Sequence, residues 1–181
     1  MKIILIRHGM TEGNLKRRYI GTTDEDLINT DCLKGDYPKC ERVVVSPLKR
    51  CIQTAEFIYP NVDIEICDKL KECDFGDFEN KSYEDLKDNP DYQKWIDSNG
   101  ELPFPNGETH EDFKNRCKDG FFESLTERDT AFVIHGGSIM AIMQKLFGGN
   151  FYDYQVKNGC GYEFEMRNGE IVDDYSPIGC G

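Results

Sequence analysis

Two short apolar runs dictate what this chain can become. Ile3-Ile4-Leu5-Ile6 ends in Arg7-His8-Gly9, and Ala131-Phe132-Val133-Ile134 ends in His135-Gly136-Gly137-Ser138. A strand-length apolar run reads as a buried strand, and the switch to Arg or His puts polar side chains where that strand meets solvent. In an open α/β sheet this edge is where ligands bind. The chain has three histidines, and two of them stand at equivalent strand ends. A lone strand-end histidine is usually structural; two in matched positions make an active-site signature.

Between and beyond these runs, strand and helix patterns alternate, which implies an α/β fold with a mainly parallel sheet. Strands are expected at Lys2–Ile6, Arg42–Ser46, Val62–Ile66, Ala131–Ile134, Gly161–Met166 and Glu170–Asp173. A turn at Arg167-Asn168-Gly169 joins the last two, Asn-Gly being the strongest short hairpin signal. Helices are expected at Leu48–Ile58 (with Pro47 at its start), Tyr83–Lys87, Tyr92–Asp97 and Ser138–Phe147, the last stopped by Gly148-Gly149. Thr109 reads as an N-cap, with Glu111 and Asp112 in the first turn. Phe113, Cys117, Phe121 and Leu125 then repeat every four residues and mark a core-facing stripe. Gly120 inside that stripe costs about 1 kcal/mol relative to Ala, so this helix is expected to bend or weaken there.

The segment Asp24–Glu41, with Gly35 and Pro38, shows no sustained helical period. The first crossover is therefore expected to be short and to leave one sheet face thinly covered, with an apolar surface that would suit a homodimer contact. No repeat or linker interrupts the pattern, and a single domain over residues 1–181 is expected.

Hydrophobic residues make up 38% of the chain and charged residues 31%, a soluble globular balance. A formal net charge of −12 argues against nucleic acid and anionic membranes as partners. It also means that an anionic substrate would meet one positive pocket in a negative surface. No apolar stretch approaches the roughly 20 residues that cross a bilayer. The N-terminus has one lysine and four apolar residues before Arg7, unlike a signal peptide, so a cytoplasmic location is expected. The eight cysteines form no Cys-x-x-Cys pair and have no His-x-x-x-His companion. They read as reduced, mostly buried small hydrophobes rather than as metal ligands.

Several segments resemble one family in order along the chain. Leu5–Asn14 (Leu-Ile-Arg-His-Gly-Met-Thr-Glu-Gly-Asn) is similar to the opening motif of the histidine phosphatase superfamily, the phosphoglycerate mutase-like proteins. The resemblance continues at Ser46–Ala55, Leu70–Asn80, Pro105–Thr109 and Val133–Gly137. It implies a three-layer α/β/α fold and phosphoryl transfer through a phosphohistidine, without metal or other cofactor.

The residues suit that chemistry. A neutral imidazole at His8 has a lone pair for attack on phosphorus. Arg7 and Arg50 offer forked, permanently charged donors for phosphate oxygens. The resemblance adds Asn14, His135 and Gly136 to the phosphate site, with His135 as a further donor if protonated beside a dianion. It also implies an acid in the third segment, Leu70–Asn80, for which Glu72 is the candidate and Asp74, Asp77 and Glu79 are competitors. Burial beside a dianion would raise such an acid's pKa, as protonating a leaving oxygen requires. His110 matches no motif position and reads as a surface residue, while Glu108 and Thr109 read as helix-capping. Tyr83, Tyr92, Trp95 and Phe104 fall in the family's substrate-covering segment, where core packing explains them equally well.

The short length and the Asp-Phe-Gly-Asp-Phe-Glu-Asn sequence look more like the small phosphatase branch, which includes α-ribazole-5′-phosphate phosphatases, than the longer mutases. The expected activity is hydrolysis of a small phosphorylated metabolite. The alternatives are a cofactor-dependent mutase of the phosphoglycerate type and a non-catalytic phospho-ligand binding module. Asn80 departs from the family, where many relatives carry Gly.

Overall fold

The computed structural model describes residues 1–179. Along these run β1 (Lys2–Arg7), α1 (Glu12–Leu15), β2 (Arg42–Val45), α2 (Lys49–Ile58) and β3 (Ile64–Ile66). Then come α3 (Tyr83–Leu86), α4 (Pro90–Asp97), α5 (His110–Glu123), β4 (Thr130–Ile134) and α6 (Gly136–Phe147). The chain closes with β5 (Gly161–Arg167), β6 (Glu170–Ile171) and β7 (Ser176–Ile178). The strands form one sheet in the order β3-β2-β4-β1-β5-β6, with β7 also paired to β5. β3, β2, β4 and β1 are mutually parallel, and β5 joins β1 antiparallel.

The two apolar runs lie side by side at the centre. Ile3 through Ile6 and Ala131 through Ile134 have no exposed surface, because strand side chains alternate between faces and both faces are covered. On one face Ile3, Leu5, Val44, Phe132 and Ile134 join Phe113, Cys117 and Phe121 of α5 and Ile139 and Met143 of α6. On the other Ile4, Ile6, Val43, Val45, Ala131 and Val133 join Cys51 and Ala55 of α2. The result is the expected three-layer α/β/α arrangement. Each large apolar side chain so buried contributes about 1.5–3 kcal/mol.

Several expectations shift. The first crossover does hold little helix, a single 3-10 turn at Asp31–Leu33. Yet the sheet face beneath it is fully closed rather than thinly covered. Tyr59 donates a hydrogen bond to the Pro38 carbonyl and Tyr37 to the Gly159 carbonyl, and their rings fill the space a helix would take. The exposed sheet face expected as a dimer contact is absent among the described residues. α5 runs unbroken through Gly120. A Cβ there would lie 2.7 Å from Lys69 Cβ, so glycine lets the turn Asp68–Leu70 cross the helix closely.

Asn168 and Gly169 form the expected hairpin, both with positive φ (53° and 81°). β7 went unforeseen because it is three residues long and contains Pro177. Asn80 sits at φ 59°, a left-handed conformation open to Asn and Gly. Cys32, Cys40, Cys51, Cys67, Cys73 and Cys117 are free thiols. Cys160 is disulfide-bonded, which departs from the expectation of eight reduced thiols, and Cys180 lies outside the described residues. No helix among the described residues is long and apolar enough to cross a membrane.

Candidate active site

Parallel pairing brings the two histidines together. Arg7 stands opposite Ile134 in the register, so His8 and His135 each occupy the next position, just past the strand ends. The His8 amide donates to the Ile134 carbonyl at 2.9 Å, and the two imidazole centroids lie 5.2 Å apart, edge to face.

His8 is oriented by its own backbone. Its Nδ1 lies 2.7 Å from the Gly9 carbonyl oxygen. A carbonyl only accepts, so Nδ1 carries the proton and Nε2 keeps the lone pair. Burial, followed by the positive charges of Arg50 and Arg7, pushes this imidazole well below its ordinary pKa of 6.5. It is therefore neutral near pH 7. Gly9 is itself fixed, its amide donating to Thr54 Oγ1 at 2.8 Å.

His135 is held by side chains instead. Arg50 Nε donates to its Nδ1 at 3.3 Å, which leaves Nε2–H to donate to Ser46 Oγ at 2.7 Å. Burial, then Arg50 and the other nearby positive groups, also lower this imidazole well below 6.5. The protonated form expected beside a dianion is thus not the resting form. Cys51 Sγ lies 3.5 Å from Nε2, with burial pushing its thiol up to about 12, so it is an uncharged neighbour.

Arg50 has no exposed surface. Its Nη1 donates to the Thr23 carbonyl (2.7 Å) and its Nη2 to the carbonyls of Gly21 (2.9 Å) and Ile20 (3.4 Å). It does not line the cavity over the histidines, and acts in this structure as a brace between His135 and the loop 20–23. Arg7 does line that cavity. Its Nη1 donates to the Val156 carbonyl at 2.7 Å, while its Nε is buried without a hydrogen-bond partner. Buried guanidinium donors are rarely left so, and an anion at the site would satisfy this one.

Asn14 is both a turn residue and a lining residue. With Thr11 it forms the capping box of α1, each side chain reaching the other's amide. Its Oδ1 also accepts from Asn158 Nδ2 at 2.9 Å. With the oxygen taken twice, the amide nitrogen is the end left to serve a phosphate oxygen. Gly136 begins α6, two residues before the helix start expected from sequence, and lines the cavity. The first amides of a helix have no intrahelical acceptor, which favours an anion there.

Glu72 also reaches this helix terminus. Its Oε2 accepts from the Gly137 amide at 3.1 Å and its Oε1 from the Cys73 amide at 2.9 Å. A Cβ at residue 137 would sit 2.4 Å from Glu72 Oε1, so only glycine admits this carboxyl. Burial raises its pKa, against the two amides, Arg50 and Arg7, which lower it. The competing acids are engaged elsewhere. Glu79 Oε1 accepts from the amides of Gly21 and Thr23 and from the Thr23 hydroxyl. Asp74 accepts from the Gly76 amide and Asp77 from Asn106. None of the three lines the cavity.

The cavity has a volume of about 390 Å³ and is lined by Arg7, His8, Asn14, Glu72 and Gly136. Trp95 and Phe104 also line it, whereas Tyr92 is buried in the core and Tyr83 is exposed. His110 corrects its surface assignment: it lines the cavity and packs against Phe151 at 5.1 Å. Thr109 does cap α5, but Glu108 instead forms a bidentate pair with Arg116.

Three supporting groups were not legible in the sequence. Arg116 also donates to the carbonyls of Lys69, Lys71 and Glu72, clamping the acid's backbone. Ser46 fixes His135, and Asn158 donates to the carbonyls of His8 and Gly9 as well as to Asn14. Asn158-Gly159 carries a turn signal, but nothing local reveals that the turn docks 150 residues upstream. Among the described residues no group of three or more His, Cys, Asp or Glu could hold a metal ion.

Comparison with known proteins places this geometry. The model of the histidine phosphatase superfamily (branch 1) matches residues 3–173. The chain is 32% identical to the uncharacterized phosphatase PhoE of Bacillus subtilis, with 94% of this chain and 92% of that protein covered. It is 25% identical to the adenosylcobalamin/alpha-ribazole phosphatase of Salmonella typhimurium, covering 93% and 92% respectively. A crystal structure of a putative alpha-ribazole-5'-P phosphatase from Escherichia coli superposes with a TM-score of 0.83 over 98% of this chain and 94% of that one. At 21% identity that likeness speaks to the fold.

Proposed function

The chain belongs to the histidine phosphatase superfamily, and from that premise we propose that it hydrolyses a small phosphorylated metabolite through a phosphohistidine on His8, with Glu72 as proton donor. Its class as a phosphoric monoester hydrolase comes from the family and the phosphatases it resembles; the residue roles are our reading. One observation carries it. The Gly9 carbonyl holds the proton of His8 on Nδ1, so Nε2 offers a lone pair into a cavity shared with Arg7, Asn14 and Glu72.

In the first step His8 Nε2 forms a bond to phosphorus as the bond to the leaving oxygen breaks. Glu72, its pKa raised by burial, gives that oxygen a proton, and the alcohol leaves. In the second step the Glu72 carboxylate takes a proton from water, whose oxygen bonds to phosphorus while the N–P bond breaks. Phosphate leaves, and both residues return to their starting states. Arg7, the Asn14 amide and the amide end of α6 meet the charge on the phosphoryl oxygens. His135 and Arg50 serve from behind, as braces of the loop and strand ends.

Phosphate release from a panel of monoesters tests the reading, run with EDTA and followed by trapping of the phosphoenzyme in an alkaline denaturing quench. The panel spans p-nitrophenyl phosphate, sugar phosphates, 3-phosphoglycerate and α-ribazole phosphate. EDTA-insensitive release with acid-labile label on His8 is expected. Isomerisation stimulated by bisphosphoglycerate, without net release, would put a mutase in its place. Binding of the esters without turnover would leave only a phospho-ligand module.

A further inference from the structure

Glu72 is held at its carboxyl by the amides of Gly137 and Cys73, but its backbone has no ladder to rest on. Residues 71–75 belong to no helix or strand. A carboxyl on such a segment is only as well placed as the groups that tie the segment down.

Two residues do so. Arg116 Nη1 donates to the carbonyls of Lys69 (2.8 Å) and Lys71 (3.0 Å), and Nη2 to that of Glu72 (3.4 Å). Its Nε and Nη2 also donate to the Glu108 carboxylate, at 2.9 and 2.7 Å. These five hydrogen bonds are as many as a guanidinium has N–H groups. Glu108 reaches the other side of the acid. Its amide donates to the Asp74 carbonyl at 2.9 Å, and its Oε2 accepts from the Asp74 amide at 3.4 Å. The pair therefore fixes the chain on both sides of residue 72. Neither side chain lines the cavity over His8. Attraction within a partly exposed ion pair adds little stability. The forked geometry is the specific feature, and an ammonium could not copy it.

We propose that Arg116 and Glu108 are positioning residues for the proton donor, holding the Glu72 carboxyl where it can protonate the leaving oxygen, a role that rests on the reading of Glu72 as the acid. As the bond from His8 Nε2 to phosphorus forms and the P–O bond breaks, the Glu72 proton passes to the departing oxygen. Ethanol cannot leave without that proton, whereas p-nitrophenolate can. Loss of the clamp should therefore be felt on an alkyl ester and much less on an aryl one.

The test compares kcat/KM for ethyl phosphate and p-nitrophenyl phosphate, a constant that covers events only up to phosphoenzyme formation. In Arg116→Lys, which keeps the charge, the ethyl-to-nitrophenyl ratio should fall about tenfold. In Glu108→Gln it should fall about threefold, and this variant carries the test if Arg116→Lys does not fold. A merely structural loss would lower both esters alike. In a Glu72→Gln background, Arg116→Lys should leave the ratio within about twofold of its value in Glu72→Gln alone. An unchanged ratio in the single variants, or the same fall persisting without the Glu72 carboxyl, would overturn the proposal.

Titration of the Glu72 carboxyl gives a readout that needs no turnover. Its 13C resonance, in protein labelled at glutamate, is assigned by its loss in Glu72→Gln. Burial is the chief cause of its raised pKa, and a carboxyl freed from the clamp gains water. The midpoint should therefore fall toward 4.5 in Arg116→Lys, and less far in Glu108→Gln. A midpoint unmoved in both variants would sink the proposal. A falling midpoint in a protein that hydrolyses neither ester would instead retire the phosphatase reading and leave the clamp standing.

Discussion

The two strand ends look alike in sequence and differ in how they are wired. At the end of β1, His8 is fixed by a backbone carbonyl one residue away, and the nitrogen left over carries a lone pair. At the end of β4, His135 is fixed by two side chains, Arg50 from α2 and Ser46 just past β2, and both its nitrogens are spent. Both imidazoles are driven toward neutrality by burial and the same arginines. Equal environment and unequal hydrogen bonding support unequal roles under the proposed mechanism: His8 has a free nitrogen to attack with, and His135 has none. A repeated motif therefore marks a site without saying which copy does the chemistry.

Replacing the two histidines in turn is the strongest way to break this comparison. His8→Asn should lower kcat by about 10⁴-fold or more and abolish acid-labile phosphoenzyme. His135→Asn should cost about 10²–10³-fold and leave phosphoenzyme detectable in rapid-quench gels. Label appearing on His135 in the His8 variant would mean that wiring does not separate the two.

Glu72→Gln comes next, with a loss of about 10²–10⁴-fold on esters of unactivated alcohols. The pH profile of kcat/KM sharpens the assignment. The reactive form needs His8 neutral and Glu72 protonated. Activity should rise with pH through the His8 pKa, well below 6.5, and fall through the Glu72 pKa, above the ordinary 4.5. In Glu72→Gln the alkaline limb should vanish; its persistence would assign that limb to another group.

The smallest effects probe the supports. Ser46→Ala and Asn158→Ala each remove hydrogen bonds of about 1 kcal/mol, and activity should drop about three- to tenfold. Only Asn158→Ala should disturb both His8 and Asn14. Its signature is a change in the Nδ1 and Nε2 resonances of His8 that Ser46→Ala does not produce.

Much of the site was legible because it is local. Arg7, His8, Asn14, Glu72 and Gly136 are short-range features of strand ends and one acidic turn, and all of them line the same cavity. Arg50 shows the limit. Its segment marks it as a phosphate ligand, but no local pattern shows that its Nη donors also reach the carbonyls of Ile20, Gly21 and Thr23. His110 shows the converse, a residue with no motif that tertiary packing brings to the wall.

The sequence by itself determined the central strands, the two histidines and the α/β class, because alternation, apolar runs and strand-end chemistry act over a few residues. The tertiary structure decided which side chains tie up His135, where Arg50 spends its donors and which rings line the cavity. Those outcomes depend on groups 27 to 89 positions apart in the chain, whose meeting is set by sheet register and loop docking rather than by any local pattern.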